Sequence, residues 1–142
     1  MTAAKQIDSF LAKYTPEIAA QGRACLKKMR KRLPHAIEMV YDYSHQLVIG
    51  FGSTENGSEA VCALVVALKG ISLGFNCWKS LPDPEKRLSG SGKQVRSVPL
   101  ETAATLDDPY VETLMEAALA KSKVPMDPKA RHRIVIKSNS AK

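Results

Sequence analysis

The sequence lacks the features that mark secreted, membrane-spanning and zinc-binding proteins. Its three cysteines, Cys25, Cys62 and Cys77, are an odd number without C-x-x-C spacing, which argues against a disulfide framework and a cysteine zinc site. The longest apolar run, Val61–Leu68, is far shorter than the roughly 20 residues that cross a bilayer. The first residues lack the charged and apolar regions of a secretory signal. We therefore expect a cytoplasmic protein with no membrane partner.

Motifs for catalysis and for nucleotide binding are also missing. The loop Gly90-Ser91-Gly92-Lys93 is not a Walker A loop, because Arg87 occupies the leading glycine position and Gln94 follows the lysine. The three histidines have no mutual spacing typical of a metal site, and no nucleophile lies in an elbow motif. We therefore expect a binding protein and not an enzyme, and the sequence identifies no cofactor and no oligomeric state.

The composition that remains is that of an ordinary globular chain. A length of 142 residues with a hydrophobic fraction of 44% is sufficient for one domain with one core. We expect that domain to span residues 1–137, followed by a polar, disordered tail over residues 138–142.

The net charge of +7 is concentrated at the two ends of the chain. Residues 1–33 hold eight Lys or Arg against two Asp or Glu, and residues 111–142 hold seven against three. A surface formed by the helix face Arg23–Arg32 and the strand Arg131–Lys137 would attract polyanions. Nonspecific nucleic-acid binding is therefore an alternative function, although aromatic residues are few and no recognised binding motif is present.

Helix signals lie towards both ends of the chain. Residues 4–13 carry apolar side chains at helical spacing. Thr15-Pro16-Glu17 is a helix start, with a hydroxyl cap, a proline at the first position and an acid in the first turn, and Pro34 ends that helix. Asp107 or Asp108, followed by a proline, caps a third helix.

Between these helices the apolar period changes to two, which indicates strands. Four consecutive strands, most simply an antiparallel meander, are predicted over residues 37–43, 47–52, 61–68 and 71–78. Gln94–Pro99 is a fifth strand, and Arg131–Lys137 is an edge strand protected by its charges. The order predicts an α+β fold, with an antiparallel sheet of five to six strands and with N-terminal helices and a C-terminal helix packed on it.

The alternation within these strands gives the sheet two different faces. The predicted core face carries Leu47, Ile49, Phe51, Ile71, Leu73 and Phe75. The alternate positions are small or polar, namely Val48, Gly50, Gly52, Ser72, Gly74 and Asn76. Glycines within strands mark the close approach of a ligand or of another backbone, or permit sheet curvature. A shallow groove is one interpretation, and a purely structural use of the glycines is the other.

The segment after the fourth strand carries a pattern made of three parts: Leu81-Pro82-Asp83-Pro84, Leu88-Ser89-Gly90-Ser91-Gly92-Lys93 and Val95-Arg96. It resembles the D-P, L-x-G-x-G-K and nearby arginine of the YdhG-like domain family, and the Ile7–Tyr14 opening and the Asp108–Ala120 helix fit as well. The resemblance implies an α+β sandwich in a largely uncharacterised family, of which one branch is linked to frataxin-like iron handling. The family's usual Tyr-Gly-Met-Pro segment is missing, and Tyr41-Asp42-Tyr43-Ser44-His45 stands near its place, so the chain resembles a separate branch.

The principal functional hypothesis is a site for a small ligand in the groove on the sheet. Trp78 would supply an apolar wall, and the polar contacts would come from Asn76, Lys79, Lys93 and Arg96. Backbone N–H groups of the Gly90–Lys93 loop are suited to an anion, so an anionic ligand is one version of this hypothesis. The alternative for the loop is a glycine turn with solvated lysines.

An acidic stripe supports a second alternative, an iron-binding or metal-delivery protein of frataxin-like type. Asp108, Glu112 and Glu116 lie four residues apart on one face of the predicted helix, and hard cations prefer such oxygen ligands. Acids near a helix start also favour its dipole without binding any metal, so this stripe has an ordinary structural explanation too.

Overall fold

The computed structural model describes residues 2–76, 78–90, 95–122 and 124–139, and in these it contains a six-stranded sheet and three α-helices. The helices are α1 (Ala3–Leu11), α2 (Pro16–Arg32) and α3 (Pro109–Ala120). The strands are β1 (Ile37–Asp42), β2 (Gln46–Gly52), β3 (Cys62–Ala67), β4 (Gly70–Phe75), β5 (Arg96–Leu100) and β6 (Arg133–Asn139). The predicted α+β class is confirmed. Within the described ranges no helix has both the length and the apolar character required to cross a membrane.

The helix starts follow from local side-chain chemistry. The Thr15 hydroxyl accepts a hydrogen bond from the Ile18 N–H at 3.3 Å, which caps α2. The Asp108 carboxylate accepts one from the Tyr110 N–H at 2.8 Å, which caps α3. Both helices have proline at the first helical position, where a missing N–H costs nothing.

The sheet has the strand order β5-β4-β3-β2-β1-β6. Strands β1 to β5 pair antiparallel with their neighbours, as the meander prediction requires. The prediction of a wholly antiparallel sheet is wrong at one edge, because β6 pairs parallel with β1. Four successive antiparallel pairs give β5 the same direction as β1. Helix α3 then carries the chain back along the sheet before β6 begins, so β6 runs in the direction of β5 and of β1.

The last strand also extends further than its sequence pattern indicates. It continues to Asn139, which pairs with Asp42 across a register shift between Val40 and Tyr41. Two residues of the predicted tail thus belong to the sheet, and residues 140–142 lie outside the described part of the chain. As an edge strand, β6 matches its prediction.

One face of the sheet forms the core, and we refer to it as the helix-covered face. The six predicted core residues all lie on it, and all are buried: Leu47, Ile49, Phe51, Ile71, Leu73 and Phe75. Helix α2 crosses this face closely at Gly22, where a Cβ would lie 2.9 Å from Leu11 and 3.8 Å from both Val66 and Ile71. The opposite face is the open face.

Strand β1 presents two carboxylates, Glu38 and Asp42, to the helix-covered face, and both are buried. Two guanidinium nitrogens of Arg30 donate to the two Glu38 oxygens at 2.7 and 3.0 Å, and His132 also contacts this carboxylate. The Lys13 ammonium lies 2.6 Å from Asp42. Partners from the turn after α1, from α2 and from the segment before β6 thus compensate charge that would otherwise be costly to bury.

Candidate functional site

A groove runs across the open face of the sheet. Its volume is about 410 Å³, which is within the usual size of small-molecule sites. Its floor and walls include Met39, Tyr41, Val48, Ala63, Val65 and Asn76. We call this feature the sheet-face groove.

The pairing register explains why these residues meet. Tyr41 lies opposite Val48, which lies opposite Val65, so the three side chains form one row across β1, β2 and β3. The next row on the same face consists of Met39, Gly50, Ala63 and Gly74. Each row has little bulk over β2 and β3, and the floor of the groove is therefore low.

Glycines let other parts of the chain approach the open face on both sides of the groove. A Cβ on Gly52 would lie 3.2 Å from the Ala60 Cα, and one on Gly50 would lie 3.7 Å from the Ala60 Cβ. On the other side, a Cβ on Gly74 would lie 3.4 Å from Val95. The glycines therefore allow other chain segments to approach the sheet closely, and these segments form the walls of the groove.

The described lining of the groove offers neutral polar groups and carries no charge. None of the described residues that line it is charged at neutral pH. Tyr41 and Tyr43 stack with ring centroids 6.0 Å apart, and Gln46 and Asn76 add side-chain amides. Burial, followed by the neighbouring Tyr43, raises the pKa of Tyr41 above its ordinary value of 10.0, so this phenol stays neutral and can donate a hydrogen bond.

The predicted ligand residues do not all converge on this groove. Asn76 lines it, just beyond the end of β4. Arg96 lies on the other face, because it pairs with Phe75 and alternates in step with the buried Val98 and Leu100. The strand period thus places Arg96 and Asn76 on different faces, and their contact with one ligand stays a prediction.

The structure describes the remaining three predicted ligand residues only in part. Lys79 is exposed on the 3-10 turn Trp78–Ser80 and is absent from the groove lining. The side chain of Trp78 and the whole of Lys93 lie outside the described residues. The contribution of these two side chains to a ligand site stays a prediction.

Two acids of the stripe, Asp108 and Glu112, pair with arginines. Asp108 caps the helix and lies 3.3 Å from Arg87, and Glu112 lies 3.9 Å from Arg32. The hydrogen bond from the Tyr110 N–H is the main cause that lowers the pKa of Asp108. The Arg87 guanidinium lowers it further. Across the described ranges no group of three or more His, Cys, Asp or Glu is positioned to hold a metal ion. The iron hypothesis finds no geometric support here and stays a prediction.

Several of the cations proposed for nucleic-acid binding are paired with carboxylates. Ion pairs of 4 Å or less involve Arg23, Lys28, Arg30, Arg32 and Arg133. Because their partners offset much of the local positive potential, these residues do not form an uncompensated basic surface.

A polar cluster that the sequence interpretation missed fastens the segment before β5 to α3. The Tyr110 hydroxyl donates to Asp83, which also accepts the N–H groups of Arg87 at 2.9 Å and Leu88 at 3.1 Å. The Arg87 guanidinium lies 4.7 Å from the centre of the Tyr110 ring and pairs with Asp108. We call this cluster the loop clip. Two Asp-Pro dipeptides, at 83–84 and 108–109, were the available signal for it.

Burial alone would raise the pKa of Asp83, but the hydrogen bonds from Tyr110, Arg87 and Leu88 outweigh it and lower the pKa below its ordinary value of 3.8. Asp83 therefore acts as an ionised acceptor that holds the loop. The first part of the sequence pattern, Leu81–Pro84, therefore has a structural role.

The tyrosine wall of the groove was also missed as a ligand surface. Tyr41 and Tyr43 share the period-two alternation of Met39, but their position over the groove depends on the pairing of β1 with β2. The N–H of Tyr43 donates to the Gln46 carbonyl at 2.9 Å, so a tight turn at Ser44-His45 sets that register. The turn was the signal that would have placed the tyrosines beside Val48.

Comparison with protein-family models, with curated proteins and with solved structures found no match to this chain. The YdhG-like resemblance therefore stays a prediction that depends on the sequence pattern alone.

Proposed function

We propose that this protein binds a small, uncharged and largely apolar molecule in the sheet-face groove. One observation carries the proposal: the open face holds a groove of about 410 Å³ whose described lining is apolar, aromatic or amide and carries no charge. Such a concave apolar site with a few neutral polar groups is the usual form of a small-molecule site.

The lining supports an uncharged ligand over an anionic one. A buried or half-buried anion needs a cation or several convergent donors nearby. Of the two described cations that were expected to supply this charge, Arg96 lies on the opposite face and Lys79 is absent from the lining. The groove instead offers the Tyr41 phenol and the amides of Gln46 and Asn76.

Fluorescence titration with the neutral, apolar dye Nile red tests the proposal. The native protein should increase the dye emission in a saturable way, because the groove would remove the dye from water. Ala63→Trp should abolish most of this increase, because Ala63 lies in the middle of the floor and the indole would fill the groove. Val65→Gln should weaken binding by making the floor polar.

Leu68→Trp is the matched control, since Leu68 is 68% exposed at the hairpin between β3 and β4 and lies outside the groove lining. It adds the same indole without occupying the groove, so its titration should match that of the native protein. Circular dichroism of each variant checks that the fold is retained. If the native protein fails to bind the dye, or if both tryptophan variants bind it like the native protein, the proposal is wrong.

A further inference from the structure

The shape of the sheet-face groove indicates which class of uncharged molecule it accepts, an inference that rests on the proposed function. The pairs Val48–Val65 and Gly50–Ala63 lie side by side on the open face. Adjacent strands are about 4.8 Å apart, and neighbouring residues on one face of a strand are about 7 Å apart. Ala60 lies over Gly50, so the open part of this patch consists of Val48, Val65 and Ala63, which provide a flat apolar surface with about the area of one or two fused rings.

The walls restrict the width of the groove across the strands. Ala60 covers Gly50 on β2, and Val95 covers Gly74 on β4, so only β3 lies uncovered between them. Strands two apart are separated by about 10 Å, and the covering atoms occupy roughly 4 Å of that distance. The gap over Ala63 is thus close to the width of one aromatic ring and continues along β3 towards Val65.

Neutral polar groups lie towards opposite ends of this gap. Gln46 pairs with Ala67 at one end of β3, and Asn76 follows Gly74, which pairs with Ala63 near the other end. Each amide carries both a donor and an acceptor, which suits hydroxyl, carbonyl or ring-nitrogen substituents. The tyrosine pair adds aromatic surface beside the Gln46 end.

The smaller pocket next to the groove does not alter this preference for a neutral ligand. It shares Ala60 and Asn76 with the groove and has a volume of about 220 Å³. It contains Lys121 but also Glu59, so the two side chains supply opposite charges. Neither an anion nor a cation is favoured by this neighbourhood as a whole.

We propose that the sheet-face groove selects a planar, uncharged aromatic compound with a polar substituent over saturated or anionic molecules of similar size. The flat floor over Val48 and Val65, the narrow gap over Ala63 and the amides of Gln46 and Asn76 each favour this class. The selectivity is shape-based, since a puckered ring has the same apolar area but cannot lie flat on the floor.

Three matched compounds test the inference on the native protein, with methyl-resolved NMR as the readout. The compounds are 2-naphthol, its saturated counterpart decahydro-2-naphthol, and the anion 2-naphthoate. We expect 2-naphthol to shift the methyl signals of Val48, Ala63 and Val65, while Leu64 and Val66 on the other face change little. Its affinity should exceed that of decahydro-2-naphthol about five-fold, the value of aromatic contact beyond area alone. Its affinity should also exceed that of 2-naphthoate, because the described lining offers no cation to compensate the carboxylate.

Each other result has a separate meaning. Equal or tighter binding of decahydro-2-naphthol at the same methyls would overturn the selection for planarity but leave the proposed function standing. Tightest binding of 2-naphthoate would overturn the selection for neutral compounds. If no compound shifts the groove methyls and Nile red does not bind, both this inference and the proposed function fail.

Discussion

The two faces of the sheet reverse the usual distribution of charge and apolar surface. The helix-covered face buries Glu38 and Asp42 among its apolar residues, and each has a cationic partner. The described residues along the groove on the open face are uncharged, yet Tyr43 is 44% exposed there and Val95 is 48% exposed at its border. Charge is thus placed where water is excluded, and neutral apolar surface is placed where water has access.

This reversal indicates what each face is for. Ion pairs with Arg30 of α2 and with Lys13 in the turn before it join these segments to β1, and they are stable because both partners are present. An apolar surface left in contact with water stabilises nothing in the folded monomer, so it needs another explanation such as binding. Stability should therefore depend on the helix-covered face, and ligand affinity on the open face.

The largest expected difference involves two neighbouring residues of β3. Leu64 is fully buried on the helix-covered face, so Leu64→Ala should cost about 3 kcal/mol of unfolding free energy. Val65 is half-buried on the floor of the groove, so Val65→Ala should cost less than about 1 kcal/mol. Urea unfolding measures both costs.

The same two variants should reverse their order in ligand binding. Val65→Ala should weaken Nile red binding several-fold, because it removes floor contacts, while folded Leu64→Ala should bind as the native protein does. Equal stability losses, or an unchanged affinity of Val65→Ala, would contradict the proposal that one face determines stability and the other determines ligand affinity.

The second prediction concerns the buried charge. Arg30→Met leaves the fully buried Glu38 carboxylate without its two guanidinium hydrogen bonds, and we expect it to cost about 3 kcal/mol. Arg23→Met in the same helix is the control, since the Arg23–Asp8 pair is exposed and should be worth about 0.5 kcal/mol. Similar losses for the two variants in urea unfolding would show that Glu38 does not depend on Arg30.

The sequence predicted what depends on local pattern and period. Caps at Thr15 and Asp108, and the alternation through β2 and β4, identified the helices and the core face correctly. A groove on the opposite face was one of the two interpretations of the strand glycines. Local signals sufficed because each involves residues that are close in the chain.

What the sequence did not reveal depends on contacts between distant segments. The parallel pairing of β6 with β1 requires the direction in which α3 returns the chain. The burial of Glu38 is unexpected for a carboxylate until Arg30 is placed beside it by the packing of α2. The face of Arg96 likewise depends on the register of β5, which no turn in the sequence fixes.

The third prediction tests a charge outside both faces, in the loop clip. Because the folded-state pKa of Asp83 is lowered from 3.8, its contribution to stability is present above that value and is lost as the pH falls through the folded-state pKa. Asp83→Asn should cost about 1 kcal/mol at neutral pH and should show a shallower loss below about pH 4. Asp107 and Asp108, whose pKa values are also lowered, should contribute to the slope that remains.

Unfolding curves for both proteins over that acidic range provide the measurement. Parallel pH profiles for the native protein and Asp83→Asn would contradict the role given to the ionised carboxylate. Binding of Nile red at neutral pH should change little in this variant, since Asp83 is absent from the groove lining.

The smallest expected change in stability comes from Gly57, which lies over the Tyr41 hydroxyl. A Cβ at this position would overlap that oxygen, so Gly57→Ala should displace the Tyr41 ring at the groove wall. The unfolding free energy should stay within about 1 kcal/mol, because fewer conformations of the unfolded chain offset the crowding. Nile red affinity should nevertheless fall, whereas Ser58→Ala, an exposed control in the same turn, should leave it unchanged. An affinity loss without a matching stability loss would show that the open face is shaped for binding; unchanged affinity would show that the tyrosine wall does not contact the ligand.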